Sequence, residues 1–117
     1  MSLKIDWYYH RPGCVSCKRA QSYLANAGAE IVEEVNSRKV KYGPDEAVAM
    51  ARQARRLFVA KGKTVRRVDL NRDTPTDAEL IALIVGPTGT LRAPAIRRGA
   101  DLFVGYHLEE YQTQLTG

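Results

Sequence analysis

Cys14 and Cys17 stand two residues apart in His10-Arg11-Pro12-Gly13-Cys14-Val15-Ser16-Cys17-Lys18, and the chain has no other cysteine. That spacing serves two chemistries. A dithiol can cycle with an internal disulfide, or the pair can form half of a zinc site. Structural zinc needs a second close pair of cysteines or histidines. Beyond His10 the chain offers only His107. The ligand count therefore argues for redox chemistry, and neither a metal nor a cofactor is expected.

A redox pair needs elements to hold it. Leu3 to Tyr9 is apolar and aromatic, as a buried central strand should be. Pro12 and Gly13 break it. Ala20, Tyr23, Leu24 and Ala27 recur at helical spacing, which predicts a helix from Val15 to Ala27 ended by Gly28. Ala29 to Val35 reads as a second strand, parallel to the first through a right-handed crossover. A strand, a tight turn and a helix carrying C-x-x-C is how a thioredoxin-like redox site is written.

This placement sets Cys14 at the helix mouth and Cys17 one turn inside. Unpaired N–H groups and the positive end of the helix dipole favour a thiolate there. Such a cysteine has its pKa lowered from ~8.5 to between ~3.5 and ~7.5. Cys14 is thus the candidate nucleophile and Cys17 the resolving cysteine. Lys18 and Arg19 oppose the dipole unless a local anion offsets them; otherwise they simply point into water. His10, if charged, adds a positive group near the thiolate; otherwise it is a surface loop histidine.

Further along, Gly43-Pro44-Asp45-Glu46 marks a helix start. Ala47, Met50, Ala51, Ala54 and Phe58 continue at helical spacing, and a helix to about Phe58 is favoured. An extended segment through Val65, Val68 and Leu70 follows. The alternative pairs Leu57–Ala60 with Thr64–Leu70 as a hairpin across Lys61-Gly62-Lys63. Thr76-Asp77-Ala78-Glu79 is a capping box that opens a helix ended by Gly86-Pro87. Ala95–Arg98 and Asp101–Val104 form a hairpin, which makes the sheet mixed, and His107–Leu115 is a closing helix. Pro94 begins the first of these late strands, where proline is tolerated. Beside a strand–C-x-x-C–helix unit, it is expected to follow a cis bond.

The 117 residues suit one domain with one core. No apolar run is long enough to span a bilayer, and the N-terminal residues lack a secretory pattern. A cytoplasmic protein is expected, where a static disulfide is disfavoured. The net charge of +5 suits anionic substrates, nucleic acid or an acidic partner, or simply a solvated basic surface.

Tyr9-His10-Arg11-Pro12-Gly13-Cys14 is similar to the Y-H-x-P-x-C opening of ArsC-type arsenate reductases. Cys14-Val15-Ser16-Cys17-Lys18 resembles the C-x-x-C-[RK] of the related Spx regulators. Arg92-Ala93-Pro94-Ala95-Ile96, then Val104-Gly105-Tyr106-His107-Leu108-Glu109-Glu110, resembles the ending of the same ArsC/Spx group. The resemblance implies an α/β, thioredoxin-like fold: βαβ, a helical insertion at about 36–89 within a single domain, then ββα around a mixed sheet. It implies Cys14 as nucleophile, His10 as its tuning group, and Pro94 facing the cysteines. The family's oxyanion-holding arginine directly precedes that proline. Here Ala93 takes its place and Arg92 is one residue earlier, on the other face if the segment is extended.

The leading expectation is a thiol–disulfide oxidoreductase. Thioredoxin or a glutathione/glutaredoxin system would regenerate it, and its substrate would be an oxidised thiol or an oxyanion such as arsenate. Arg92, Arg97 and Arg98 are candidate anion contacts, against a plain surface role. The alternative is a redox-sensing regulator whose contact with RNA polymerase follows its disulfide state.

Overall fold

Adjacent side chains in the strands go to opposite faces of the sheet, and in this chain both faces are buried. Trp7 and Tyr9 pack on one side and Tyr8 on the other. Leu57 and Val59 oppose Phe58, and Leu102 and Val104 oppose Phe103. A strand covered on both sides needs apolar residues at every position, which is why these runs show no polar alternation.

The computed structural model describes residues 3–116. Its elements are β1 (Lys4–Ile5), β2 (Trp7–His10), α1 (Val15–Asn26), β3 (Glu30–Ile31), β4 (Glu34–Asn36), α2 (Pro44–Gln53), β5 (Arg56–Lys61), β6 (Thr64–Asp69), α3 (Asp77–Ile84), β7 (Ala95–Arg98), β8 (Asp101–Val104) and α4 (Leu108–Glu110). A π-helical turn, Tyr111–Leu115, continues α4. The six-stranded sheet has the order β4-β2-β7-β8-β5-β6, and β1 pairs with β3 in a short extension. β2 runs parallel to β4 and antiparallel to β7.

Helices α2 and α3 cover one face through Ala47, Val48, Ala51, Leu80 and Ile84. Helix α1 and the C-terminal turn cover the other through Ala20, Leu24, Tyr111 and Leu115. Burying a side chain such as Leu24 stabilises the fold by roughly 1.5–3 kcal/mol. Helix α1 stops as its sequence requires. Gly28 takes φ +70, its N–H bonds to the Ala25 carbonyl, and the Ala29 N–H bonds back to Leu24. The Thr76/Glu79 capping box opens α3 as expected.

Two expectations need correction. Helix α2 ends at Gln53, not near Phe58, and Arg56–Lys61 is a strand. Leu57, Phe58, Val59 and Ala60 are all buried, and β5 lies between β6 and β8, antiparallel to the first and parallel to the second. Pairing on both edges outweighs the helical spacing of the apolar residues. The segment at about 36–89, expected as a helical insertion, therefore holds two helices and a hairpin that widens the sheet. The closing helix also differs, because its second half is π-helical, with the Thr116 N–H bonded to the Tyr111 carbonyl.

Glu110 anchors this closing segment. It is 5% exposed, and the Arg67 guanidinium grips both its carboxylate oxygens. The Arg67 hydrogen bonds, with the charges of Arg67 and His107, hold its pKa below the ordinary value despite burial. A depressed carboxylate pKa stabilises the fold above the unfolded-state value and loses that effect as pH falls through the folded one. We expect the stability advantage of the wild type over Glu110→Gln to be full at neutral pH. It should shrink as pH drops below the unfolded glutamate value of about 4.3, read from urea midpoints at each pH.

Candidate functional site: the Cys14–Cys17 turn

The site is built by the turn that leaves β2. The Cys14 N–H bonds back to the Arg11 carbonyl at 3.2 Å, closing a four-residue turn. Pro12 fixes the second position, and Gly13, at φ +81, supplies the left-handed third. The chain then enters α1 with Cys14 as the N-cap residue. That position normally takes serine, threonine, aspartate or asparagine, whose oxygen accepts an N–H from the first turn. Here the Cys14 sulfur accepts it, from the Cys17 N–H at 3.4 Å.

The two thiols have opposite environments. Cys14 is partly exposed, Cys17 is buried, and both are free. Burial raises the Cys14 pKa, but the N–H and thiol of Cys17, the charge of Arg11 and the N–H of Ser16 outweigh it. The net direction is downward. Burial pushes the Cys17 thiol up to about 12; the Arg11 N–H, 3.3 Å from its sulfur, offsets only part of that. The Cys14 sulfur and its charge push the same way as burial. The Tyr8 hydroxyl donates to the Cys17 carbonyl at 3.2 Å and ties the second turn of the site to the strand.

This asymmetry gives a direct expectation. At neutral pH an alkylating reagent should modify Cys14 and spare Cys17. Thiolate absorbance should show one transition below the free-cysteine value of ~8.5 and a second near about 12. Arg11→Ala should move both upward, because its charge favours either thiolate. Two coincident transitions would contradict the assignment.

The other expected site residues are placed as follows. His10 lies over the Tyr8 ring, with centroids 5.4 Å apart, and its Nε2 is 3.7 Å from a Glu34 carboxylate oxygen. It faces Glu34, and the groups that lower the Cys14 pKa are Cys17, Arg11 and Ser16. Pro94 is buried at the entry to β7, and the Ala93–Pro94 bond is cis. Arg92 donates to the carbonyls of Ala60 at 2.8 Å and Leu83 at 3.3 Å. Its guanidinium therefore braces the end of β5 against α3, although the residue lines the cleft described next. Arg97 turns to Gln53, and Arg98 donates to the Leu115 carbonyl. As anion contacts these two are corrected, because β7 carries them toward its far end, opposite Trp7 and Asp101.

Arg11, not among the residues expected at the site, supplies a charge for both thiols and an N–H for Cys17. A cation three residues before a nucleophile, across a Pro-Gly turn, was the available signal. A cleft of ≈ 580 Å³ opens beside this turn, lined by Tyr9, Arg11, Pro12, Ser37, Arg38 and Lys41 on one side and by residues 86–88 and 90–93 on the other. Among the described residues, no three histidine, cysteine, aspartate or glutamate side chains gather as a metal site. No helix among them is long and apolar enough to cross a membrane.

A search among curated proteins returns no significant match. Comparison with family profiles matches the ArsC family over residues 9–114. The match spans β2 to the closing turn and includes both cysteines. It accounts for the thioredoxin-like arrangement of β2, α1, β4, β7 and β8, and it places the chain among thiol-based oxidoreductases and their Spx-like relatives. On this match, the chain belongs to the ArsC family.

Proposed function

We propose that this protein is a thiol–disulfide oxidoreductase in which Cys14 attacks and Cys17 resolves. The observation that carries the reading is the contrast between the two thiols. One is partly exposed, caps a helix and has a lowered pKa; the other is buried and held as a thiol. The thiolate is the nucleophile, so only Cys14 is armed at neutral pH.

The Cys14 thiolate attacks one sulfur of a disulfide RSSR. A Cys14–SR bond forms, the RS–SR bond breaks, and one thiolate leaves and takes up a proton. Loss of the Cys14 negative charge removes one cause of the high Cys17 pKa. Cys17 then gives up its proton and attacks the Cys14 sulfur. The second RS⁻ departs, and the Cys14–Cys17 disulfide remains. Two electrons have passed from the protein to RSSR. A dithiol such as thioredoxin, or a glutathione/glutaredoxin system, returns them.

His10 and Pro94 belong to this reading as positioning residues. His10 supports the end of β2 through Tyr8 and Glu34, and Pro94 shapes the entry to the neighbouring strand. Oxyanion reduction needs a substrate-holding cation, and Arg92 has two carbonyls to serve before it can act as one.

The test is trapping. Cys17→Ser, exposed to a disulfide substrate, should accumulate a mixed disulfide on Cys14 that intact-mass measurement detects, and the wild type should instead show an internal disulfide. No adduct on Cys14 would refute the mechanism. If no substrate turns over while only the oxidised protein retains RNA polymerase on a column, the regulator reading replaces this one.

A further inference from the structure

The cleft beside the cysteine turn carries positive charge that has no carboxylate to answer it. Arg11, Arg38 and Lys41 line it, along with Arg92, and no aspartate or glutamate does. Among the described residues none of these four cations forms an ion pair. Elsewhere three arginines are paired: Arg52 with Asp77, Arg56 with Asp101, Arg67 with Glu110. Unpaired cations gathered in one concavity raise the local concentration of anions.

The walls are fixed before any ligand arrives. The Arg38 N–H bonds to the Asn36 side chain and the Ser37 N–H to the His10 carbonyl. The Tyr9 hydroxyl holds the Val40 carbonyl at 2.9 Å. On the opposite wall, the Gly86 N–H bonds to Thr90 and the Gly89 N–H to Gly86. The Leu91 N–H reaches the Tyr42 carbonyl and joins the two walls. The hydroxyls of Ser37, Thr88 and Thr90 add hydrogen-bonding groups to the lining.

Size narrows the ligand. At ≈ 580 Å³ the cleft is far larger than one tetrahedral oxyanion needs and falls in the range of small-molecule sites, about 300–1,000 Å³. Tyr9, Pro12 and Leu91 supply apolar surface for a carbon skeleton. Arg11 and Pro12, which line the cleft, are also part of the turn that presents Cys14.

We propose that this cleft is a specificity site for small organic disulfides bearing carboxylate or phosphate groups, with Arg38 and Lys41 as the residues that select for their charge. The inference rests on the oxidoreductase reading and names its substrate class. The cations hold the anionic substituents while Cys14 attacks the disulfide sulfur, and the same charge stabilises the departing anionic thiol near the site.

Binding and turnover test it separately. Glutathione disulfide (carboxylates) and coenzyme A disulfide (phosphates) serve as anionic probes, and hydroxyethyl disulfide as the neutral one. By calorimetry on Cys14→Ser protein, at least one anionic probe should bind and the neutral one should not. Arg38→Ala/Lys41→Ala should weaken that binding at least tenfold. Lys63→Ala/Arg66→Ala, an equal loss of charge on the β5–β6 hairpin, should not. Circular dichroism confirms that both double variants are folded. Equal losses in the two double variants, or displacement of the probe by an equimolar amount of inorganic phosphate, would overturn the proposal. Wild-type kcat/KM should favour an anionic probe over the neutral one, and this preference should fall as salt rises. Reduction of the neutral probe with no such preference would sink this inference and leave the oxidoreductase reading standing. Binding of an anionic probe with no reduction of any probe would do the reverse.

Discussion

Cys14→Ser abolishes disulfide reduction, with an expected loss of at least about a thousandfold, as removal of a catalytic nucleophile produces in other enzymes. Serine keeps the N-cap geometry, since its oxygen accepts the Cys17 N–H at least as well as sulfur does. The variant should therefore fold with equal or slightly greater stability, and the loss is then chemical. A serine hydroxyl has no ionised fraction near neutral pH. Cys17→Ser differs. The attack on substrate survives, release fails, and single-turnover rates stay close to wild type while steady-state turnover collapses. Stopped-flow mixing with a chromogenic disulfide separates the two. A Cys14→Ser protein that retains steady-state activity would remove Cys14 from the mechanism. The rate of the first step should also follow Cys14 ionisation. It should rise with pH to a plateau, with its midpoint below the pH where a free thiol is half ionised, because the Cys14 pKa is lowered.

Gly105→Ala is expected to be the most damaging methyl group the chain could acquire among the glycines described. Gly105 ends β8 at φ +88, a conformation L side chains rarely adopt. A Cβ there would sit 2.9 Å from the Ala60 carbonyl oxygen and 3.0 Å from the Ala60 Cβ. Both neighbours belong to β5, whose backbone is held by β6 and β8 and has no room to give. Strain of about 1–3 kcal/mol at the backbone and about 1–3 kcal/mol from overpacking gives a loss of roughly 2–6 kcal/mol. That is much of a small domain's total stability. Gly99→Ala is the control. It shares a positive φ of +59 but meets nothing within 4 Å, so it should lose only the conformational part. Urea unfolding of both variants reads the difference, and equal losses would mean that contact with Ala60 is not the cause. The Gly105 carbonyl also accepts the Tyr111 hydroxyl at 2.8 Å, so a shift here reaches the closing turn.

These sites differ in how far the sequence discloses them. The strand–turn–helix around Cys14 is legible because its determinants are local: an apolar run, Pro12-Gly13, a helical face and Gly28. The capping box of Thr76 and Glu79 is local for the same reason. Strand β5 is not. Its apolar residues continue the helical spacing begun at Ala47, and what makes Leu57–Val59 extended is pairing with Leu102–Val104, far along the chain. Arg92 is legible as an arginine near a proline, but its purpose depends on where β5 and α3 end, since those ends supply its two carbonyl acceptors. The cleft is hidden for the same reason. Its walls are separate loops that hydrogen bonds to β2 and Tyr42 bring together.

Strand β2, which presents the reactive turn, pairs Trp7 with Arg97 and Tyr9 with Ala95. Its neighbour on that side is therefore synthesised more than eighty residues after it. Until then β2 has one open edge, Tyr8 lacks its cross-strand neighbour Ile96, and the face on which α1 packs lacks Ile96 and Phe103. The cysteine pair is thus made early and protected late. During that interval both thiols are open to oxidants and to mixed disulfides that the finished protein would direct to Cys14 alone. Biogenesis of this chain, more than its mature state, should depend on a reducing environment.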